Sequence, residues 1–398
     1  MSSHLSASSI WSFKKCPTHY RLSYVEGLKE AQEPEPLRMG TAWHKGLEVL
    51  ESGGGMEAAV LAACDVYTVV PEWADPTAWA VEREVIANGL AGYDWYWNSG
   101  DESEWETLAV ELQFDLPLVN PETGRATPRF RRVGRIDHVV RNKTTDVIRI
   151  KENKTTSRPI DSGSTYWNRL RMDTQSKFYI IAARDIQEEV SEELLGPGGS
   201  IVSGLLHDVF HKPTIRPKKL TQAESKRFVE DGMYMGRQFD VRYNTIYQPS
   251  EDEYSTIEER DQDWRATWVN NIMAEVEWGA EPKKADTPRP FAIRETPEMF
   301  GARFLADILA EPEKFFARKE VPFTDRELAD FRHQIWSLQR TMAEMEKSGH
   351  WYENEHSCEA VGTMACPYCP ICYNNVSCFD GVTVPNGFRR GRATGAKQ

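Results

Sequence analysis

The stretch VGRIDHVVRNKTTDVIRIKENKTT, residues 133–156, carries three side chains able to act together on a phosphodiester: Asp137, Glu152 and Lys154. Side chains along a strand alternate between faces with a period of two. Ile148, Ile150, Glu152 and Lys154 therefore share one face. The apolar pair can pack inward, and Glu152 and Lys154 emerge side by side at the strand's end. Asp137 lies fifteen residues before Glu152, in the preceding arm of the same hairpin. Two convergent carboxylates bind a hard divalent cation such as Mg²⁺ or Mn²⁺, with water and phosphate oxygens completing the shell. Such a cation acidifies water and offsets charge on a phosphoryl oxygen. A lysine beside that water orients it and stabilises developing negative charge. The same short pattern also fits a hairpin with an exposed Glu–Lys pair.

Three further features narrow the reading. GTAWHKGLE places His44 on a helix. DTQSKFYIIAA places Gln175 and Tyr179 four residues apart, on one face of the helix after the hairpin. Tyr179, flanked by FYII, also fits a core position. A Cys-Pro pair stands at Cys16 in FKKCPTHYRLSYVEGL. The order Cys-Pro, Gly-x-x-x-His, Gly-x-x-Asp, Glu-x-Lys, Gln-x-x-x-Tyr and then clustered cysteines resembles the PD-(D/E)XK nucleases of the RecB type. It looks closest to the iron–sulfur branch that includes AddB and the CRISPR-associated exonucleases. IVSGLLHDVFHKPTIRPKKL is similar to what bacteriophage members carry after the motif helix, which implies a phage-encoded chain. The resemblance spans about residues 6–55, 107–220 and 310–380.

That resemblance implies an α/β, restriction-endonuclease-like core: a central mixed β-sheet flanked by helices. It implies His44, Asp137 and Glu152 as ligands of Mg²⁺ or Mn²⁺, with the carbonyl of Asn153 as an extra ligand. Lys154 would position the attacking water, and Gln175 and Tyr179 would line the site and hold DNA or Lys154. The family motif often reads Asp-x-Lys; here it is Glu-x-Lys. Glu111, in AVELQFDL on the strand before the hairpin, fits a residue that supports the site from behind, and fits an exposed strand glutamate better.

Five of the seven cysteines crowd into SCEAVGTMACPYCPICYNNVSC: Cys358, Cys366, Cys369, Cys372 and Cys378. Such clustering suggests a metal or cluster site rather than disulfides. Four thiolates can hold a [4Fe–4S] cluster or a zinc ion. The resemblance implies one ligand from Cys16 and three from this segment, so that the cluster staples distant parts of the chain together. Cys369, Cys372 and Cys378 match the AddB-like spacing. Cys358, Cys366 and Cys372 match the looser phage-like spacing, with Cys369 extra. A self-contained site of Cys366, Cys369, Cys372 and Cys378 would suit zinc. Cys372 belongs to every version. Cys64 reads as a buried helix residue.

The elements around these residues follow from periodicity. Helical patterns run to about Asn98. Strand-like alternation begins near Thr107, and GGSIVSGLLHDVFHK reads as a further strand. Residues 1–105 are expected to form a helical lobe, 106–217 the nuclease core, 218–290 a helical insertion and 291–398 a closing helical and cysteine region. Within the insertion, QAESKRFVEDGMYMGRQFD and TIEERDQDWRATWVNNIMAEVEWGA read as helices. PFAIRETPEMF reads as a strand or two, followed by a long helix through DRELADFRHQIWSLQRTMAEMEKSG.

Composition bounds the function. No run of about 18 apolar residues exists, and the opening residues lack a signal-peptide core, so a cytoplasmic protein is expected, in a bacterial host cell if phage-encoded. A net charge of −13 argues against non-specific coating of nucleic acid. It leaves room for a local basic groove, and Arg129, Arg131, Arg132, Arg135 and Lys212 are expected to contact DNA. The expectation is a metal-dependent deoxyribonuclease, a single-strand-preferring exonuclease of phage recombination, repair or processing, with a helicase or recombination partner. The rivals are a catalytically silent DNA-binding or structural protein of the same fold, a structure-selective endonuclease, and a zinc-stabilised hydrolase of other substrates.

Overall fold

A computed structural model describes residues 3–98, 104–195, 202, 204–243, 267–280, 289–358 and 366–391. Its centre is one mixed sheet of six strands: β1 (Ser3–Leu5), β2 (Trp105–Val119), β3 (Ala126–Asn142), β4 (Ile148–Thr156), β5 (Gly204–His211) and β6 (Phe316–Pro322). The order is β1-β3-β4-β5-β6, with β2 on the other edge of β3. β2, β3 and β4 form antiparallel pairs, β4 and β5 run parallel, and β6 returns antiparallel to β5.

One edge of β3 is shared. β4 pairs with it from Val139 to Arg141 and ends the ladder at His138↔Lys151. β1 takes over at Phe130–Arg132. Between these two ladders the sheet opens, and the next positions after the last β3–β4 pair are Asp137 and Glu152. The strands diverge where the two carboxylates stand.

Helices cover both faces. On one, α1 (Ala7–Lys15), α6 (Thr174–Leu195) and α9 (Asp325–Ser348) bury Ile10, Phe13, Phe178, Phe331 and Ile335 against Ile136, Ile148, Ile150 and Leu205. On the other, α2 (Glu35–Glu51), α3 (Met56–Cys64), α4 (Pro76–Asn98) and α8 (Pro297–Ala310) bury Trp43, Leu90, Phe300 and Phe304 against Phe210 and Phe316. A short helix, α5 (Thr165–Arg171), precedes α6. Local signals explain the ends. α1 and α9 begin with reciprocal caps from Ser6/Ser9 and Thr324/Glu327, and α9 stops at the left-handed Gly349. Buried Leu328, Phe331, Ile335 and Met342 give α9 its apolar stripe. Among the described residues no helix is long and apolar enough to cross a membrane.

The expected helical insertion is a correction. Its one described helix is α7 (Gln222–Asp231). Met233–Tyr234 pairs with Arg237–Gln238, Val241–Tyr243 and Ile272–Ala274 flank Thr267–Val269, and Val276–Trp278 pairs with Phe291–Ile293. The physical reason is turn chemistry. Asn270 and Asn271 both adopt positive φ, 47° and 66°, which makes the two-residue hairpin turn that joins the flanking strands. The first part of the second expected helix, residues 256–266, lies outside the described residues. PEMF, expected as strand, opens α8, because Thr296 caps it and Pro297 occupies the first turn.

Candidate active site

Asp137, Glu152, Lys154, Gln175 and His44 converge at the opening between β3 and β4. Glu152 is 1% exposed. Its Oε1 accepts from Lys154 Nζ at 2.9 Å and from Gln175 Nε2 at 2.5 Å. Lys154 Nζ also donates to Gln175 Oε1 at 2.6 Å, closing a three-residue clamp. Glu152 Oε2 is buried and has no hydrogen-bond partner. Asp137 Oδ2 accepts the Asn153 N–H at 3.1 Å and lies 3.4 Å from His44 Nδ1. Trp43, stacked on Phe210 with centroids 4.2 Å apart, anchors α2 so that the next residue, His44, reaches the carboxylates.

The electrostatics suit a cation. Burial pushes both carboxyls above their ordinary values; Glu111 adds to this at Asp137, and Asp137 does so at Glu152. Burial would lower the Lys154 ammonium, but Glu152 and Asp173 hold it above its usual value. Burial lowers His44, which favours the neutral imidazole a metal ligand requires. A buried carboxylate oxygen without a partner is costly unless a cation or proton meets it. The residues therefore fit a divalent ion held by Asp137, Glu152 and His44. As they stand, no group of three or more histidine, cysteine, aspartate or glutamate side chains among the described residues is placed to hold a metal ion, so these three would have to draw together around it.

The chain matches the PD-(D/E)XK nuclease superfamily over residues 4–373. It belongs to that superfamily. A stretch of 240 residues is 26% identical to the B subunit of the ATP-dependent helicase/deoxyribonuclease of Moorella thermoacetica (strain ATCC 39073 / JCM 9320), covering 54% of this chain and 20% of that relative. The chain thus spans about a fifth of the length of the curated relative it matches.

The remaining motif residues of this PD-(D/E)XK protein have definite places. Tyr179 is 9% exposed and follows Gln175 by one turn of α6, so it stands beneath the clamp rather than in solvent. Gly134, first residue of Gly-x-x-Asp, is required by packing. A methyl there would sit 2.6 Å from Phe114 Cζ and 3.2 Å from Tyr179 Cε1.

Of the expected DNA contacts, two are corrections. Arg132 is 4% exposed and bonded to Asp185 at 2.5 Å and the Pro117 carbonyl at 3.2 Å. Lys212 is 7% exposed and paired with Glu35 at 3.1 Å. Both neutralise nearby acids and hold elements together. Arg129, Arg131 and Arg135 remain partly exposed, paired with Glu346, Asp115 and Glu111.

Sequence reasoning missed the groups on the opposite face of β4. Lys151, 3% exposed, pairs with Glu51 and stands 3.9 Å from Asp208, which in turn accepts from Tyr93 and Arg318 at 2.6 and 2.9 Å. The signal was the alternation itself: Lys151 and Asn153 point away from the Glu152 face into a second core.

Cys16, Cys358, Cys366, Cys369 and Cys372 line one cavity of about 130 Å³ with His19, Asn354 and Tyr368. Cys378 is outside its wall and fully buried, in one apolar cluster with Leu22, Leu28, Ile371 and Cys366, against which Cys369 and Cys372 also pack. Burial and the neighbouring thiols raise the thiols of Cys358 and Cys366; at Cys372 burial, Glu353 and the neighbouring thiols do so. The Asn354 N–H donates to Cys16 Sγ at 3.4 Å. Around the cavity, early and late residues are stitched together. Thr18 Oγ1 donates to the Tyr352 carbonyl at 3.0 Å, and Asn354 Nδ2 and Ser357 Oγ donate to the Lys15 carbonyl at 2.8 and 2.7 Å. Leu28–Glu30 pairs with Phe388–Arg390.

Proposed function

We propose that this nuclease is a divalent-cation-dependent deoxyribonuclease that degrades single-stranded DNA from its ends, beside a helicase, in phage recombination, repair or processing. The observation that carries the hydrolytic reading is Glu152. Its Oε1 is committed to Lys154 and Gln175, and its buried Oε2 is left for a cation. When bound, Mg²⁺ or Mn²⁺ would supply charge neutralisation at the phosphate and acidify the attacking water. Asp137, Glu152 and His44 would hold it. Lys154, fixed from two sides, orients the water and offsets the charge that develops on the phosphoryl oxygens. Gln175 and Tyr179 keep Lys154 in that position. The deoxyribonuclease and helicase elements rest on the similarity to part of a helicase/deoxyribonuclease. End-directed cleavage and the phage setting rest on the motif order and on the segment after α6.

The five-thiol cavity supports a four-thiolate group, a [4Fe–4S] cluster or zinc, held by Cys16 and three of Cys358, Cys366, Cys369 and Cys372. Four thiols lining one cavity are the donor set such groups require. Its role here is to lock the early and late residues together.

The test uses anaerobically purified protein, end-labelled linear single-stranded DNA and a covalently closed single-stranded circle, with Mg²⁺, Mn²⁺ or EDTA. Metal-dependent loss of the linear strand alone, abolished by Glu152→Ala, supports the proposal. Cutting of the circle makes the protein an endonuclease. No cleavage of either DNA with any metal overturns the catalytic reading.

A further inference from the structure

We infer that Glu111 is a positioning residue of the nuclease site: it holds Arg135 at the rim of the catalytic cluster, where the guanidinium takes a phosphate of the bound strand. This rests on the nuclease reading above. β2 pairs with β3 through Val110↔His138 and Leu112↔Ile136, so Glu111 falls opposite Asp137. Yet Glu111 has φ +53°, a left-handed conformation inside a fifteen-residue strand. Non-glycine residues adopt it only where surrounding contacts enforce it.

Regular pairing would set the Glu111 carboxylate straight across from that of Asp137, and like charges directly opposite are unfavourable. The left-handed residue swings the carboxylate to the diagonal neighbour instead, where it pairs with Arg135, two residues before Asp137. The pair is asymmetric. The Glu111 side chain is 15% exposed, and the Arg135 side chain is 57% exposed. The guanidinium therefore meets a nearly buried carboxylate through Nε as an ion pair, without a regular hydrogen bond to Oε2, and the rest faces solvent beside the metal-binding acids. A guanidinium held in one orientation is suited to bidentate contact with a phosphate. Arg132, three residues earlier, cannot do this, because it is buried on Asp185.

The test measures binding of a fluorescent single-stranded oligonucleotide by anisotropy, over a range of salt, in full-length protein carrying Lys154→Ala to prevent cleavage. Arg135→Ala should weaken binding about tenfold and flatten the salt dependence by about 0.7 in log–log slope, one phosphate contact. Glu111→Gly accepts φ +53° and should keep the thermal stability of its parent. It should nonetheless weaken binding as Arg135→Ala does, and the double variant should be no weaker than Arg135→Ala alone. Glu111→Gln, which still accepts a hydrogen bond, should recover part of the loss. Removing an acidic group that merely sits near DNA would tighten binding, so a tighter Glu111→Gly, or additive losses, overturns the inference. Wild-type cleavage together with an additive series removes this inference alone. A parent that binds no DNA removes it together with the nuclease reading.

Discussion

Gly134→Ala tests how the motif glycine serves the catalytic clamp. The added methyl would stand 2.6 and 2.8 Å from two carbons of the Phe114 ring and 3.2 Å from Tyr179 Cε1. Carbon atoms rest about 3.5–4.0 Å apart, so the Phe114 ring must retreat by roughly 1 Å. It has little room. Phe114 leans on Phe178 and meets Tyr179 edge-on, with centroids 5.9 and 6.1 Å away, and all three are buried. Overpacking of this kind costs about 1–3 kcal/mol. Replacing a strand glycine by alanine returns about 0.5–1 kcal/mol. The clash wins, by about 1 kcal/mol, which lowers Tm by roughly 2–4 °C. The functional effect should be larger than the stability effect. Tyr179 stands one helical turn after Gln175 on α6, and Gln175 joins Lys154 to Glu152. A displacement near 1 Å at such a group costs about 100-fold in rate. Thermal melts and single-turnover cleavage well below Tm measure both quantities. Phe114→Leu in the Gly134→Ala background should restore both by making room. Unchanged Tm and rate in Gly134→Ala, or a double variant worse than either single change, would refute the reasoning.

Other outcomes follow from the buried charges and the thiols. Lys151→Met strips Glu51 of its cation and should destabilise the fold by about 3–5 kcal/mol in urea unfolding, because a buried carboxylate is left unpaired. Burial would raise the Glu51 carboxyl, but Lys151, His138 and Thr107 bring it down to about 2. Its contribution of about 3 kcal/mol should be present above pH about 4.5 and fade as pH falls toward 2, so the stability gap between wild type and Glu51→Gln narrows from pH 6 to pH 3. Cys16→Ser should lose iron or zinc by elemental analysis, along with any visible absorbance, whereas Cys378→Ser, outside the cavity, should retain both. Equal metal content in the two variants would contradict the cavity assignment.

Part of the candidate site lies where local periodicity speaks, while the grouping of His44 and Gln175 with Asp137 and Glu152 came from a motif order that resembles the RecB-type nucleases. The hairpin, the face shared by Glu152 and Lys154, and the four-residue step from Gln175 to Tyr179 are short-range patterns. What escaped depends on long-range partners or on one backbone angle. Glu111 looked like an exposed strand residue because alternation carries no sign of a left-handed φ. Arg132 and Lys212 looked like DNA contacts because their partners, Asp185 and Glu35, lie 53 and 177 residues away in sequence. The strands after α7 were hidden by charged residues that suit helices equally, and only Asn270-Asn271 marked the turn. Cys369 and Cys378 could not be told apart by spacing, since a cavity wall is a property of three dimensions.

The stitching around the thiol cavity has a consequence for biosynthesis. Thr18 and Tyr352, joined across 334 residues, emerge from a ribosome far apart in time. At about 5–20 residues per second that interval is roughly 20–70 s. Through it, the end of α1 lacks the Asn354 and Ser357 donors that finish it, and Cys16 waits as a solitary thiol. Loading of the cavity is therefore a late event in the life of the nascent chain. A product halted before residue 358 would leave Cys16 alone at the cavity, so colour or bound iron or zinc would report that translation had run at least past Cys369, the third of the later lining cysteines.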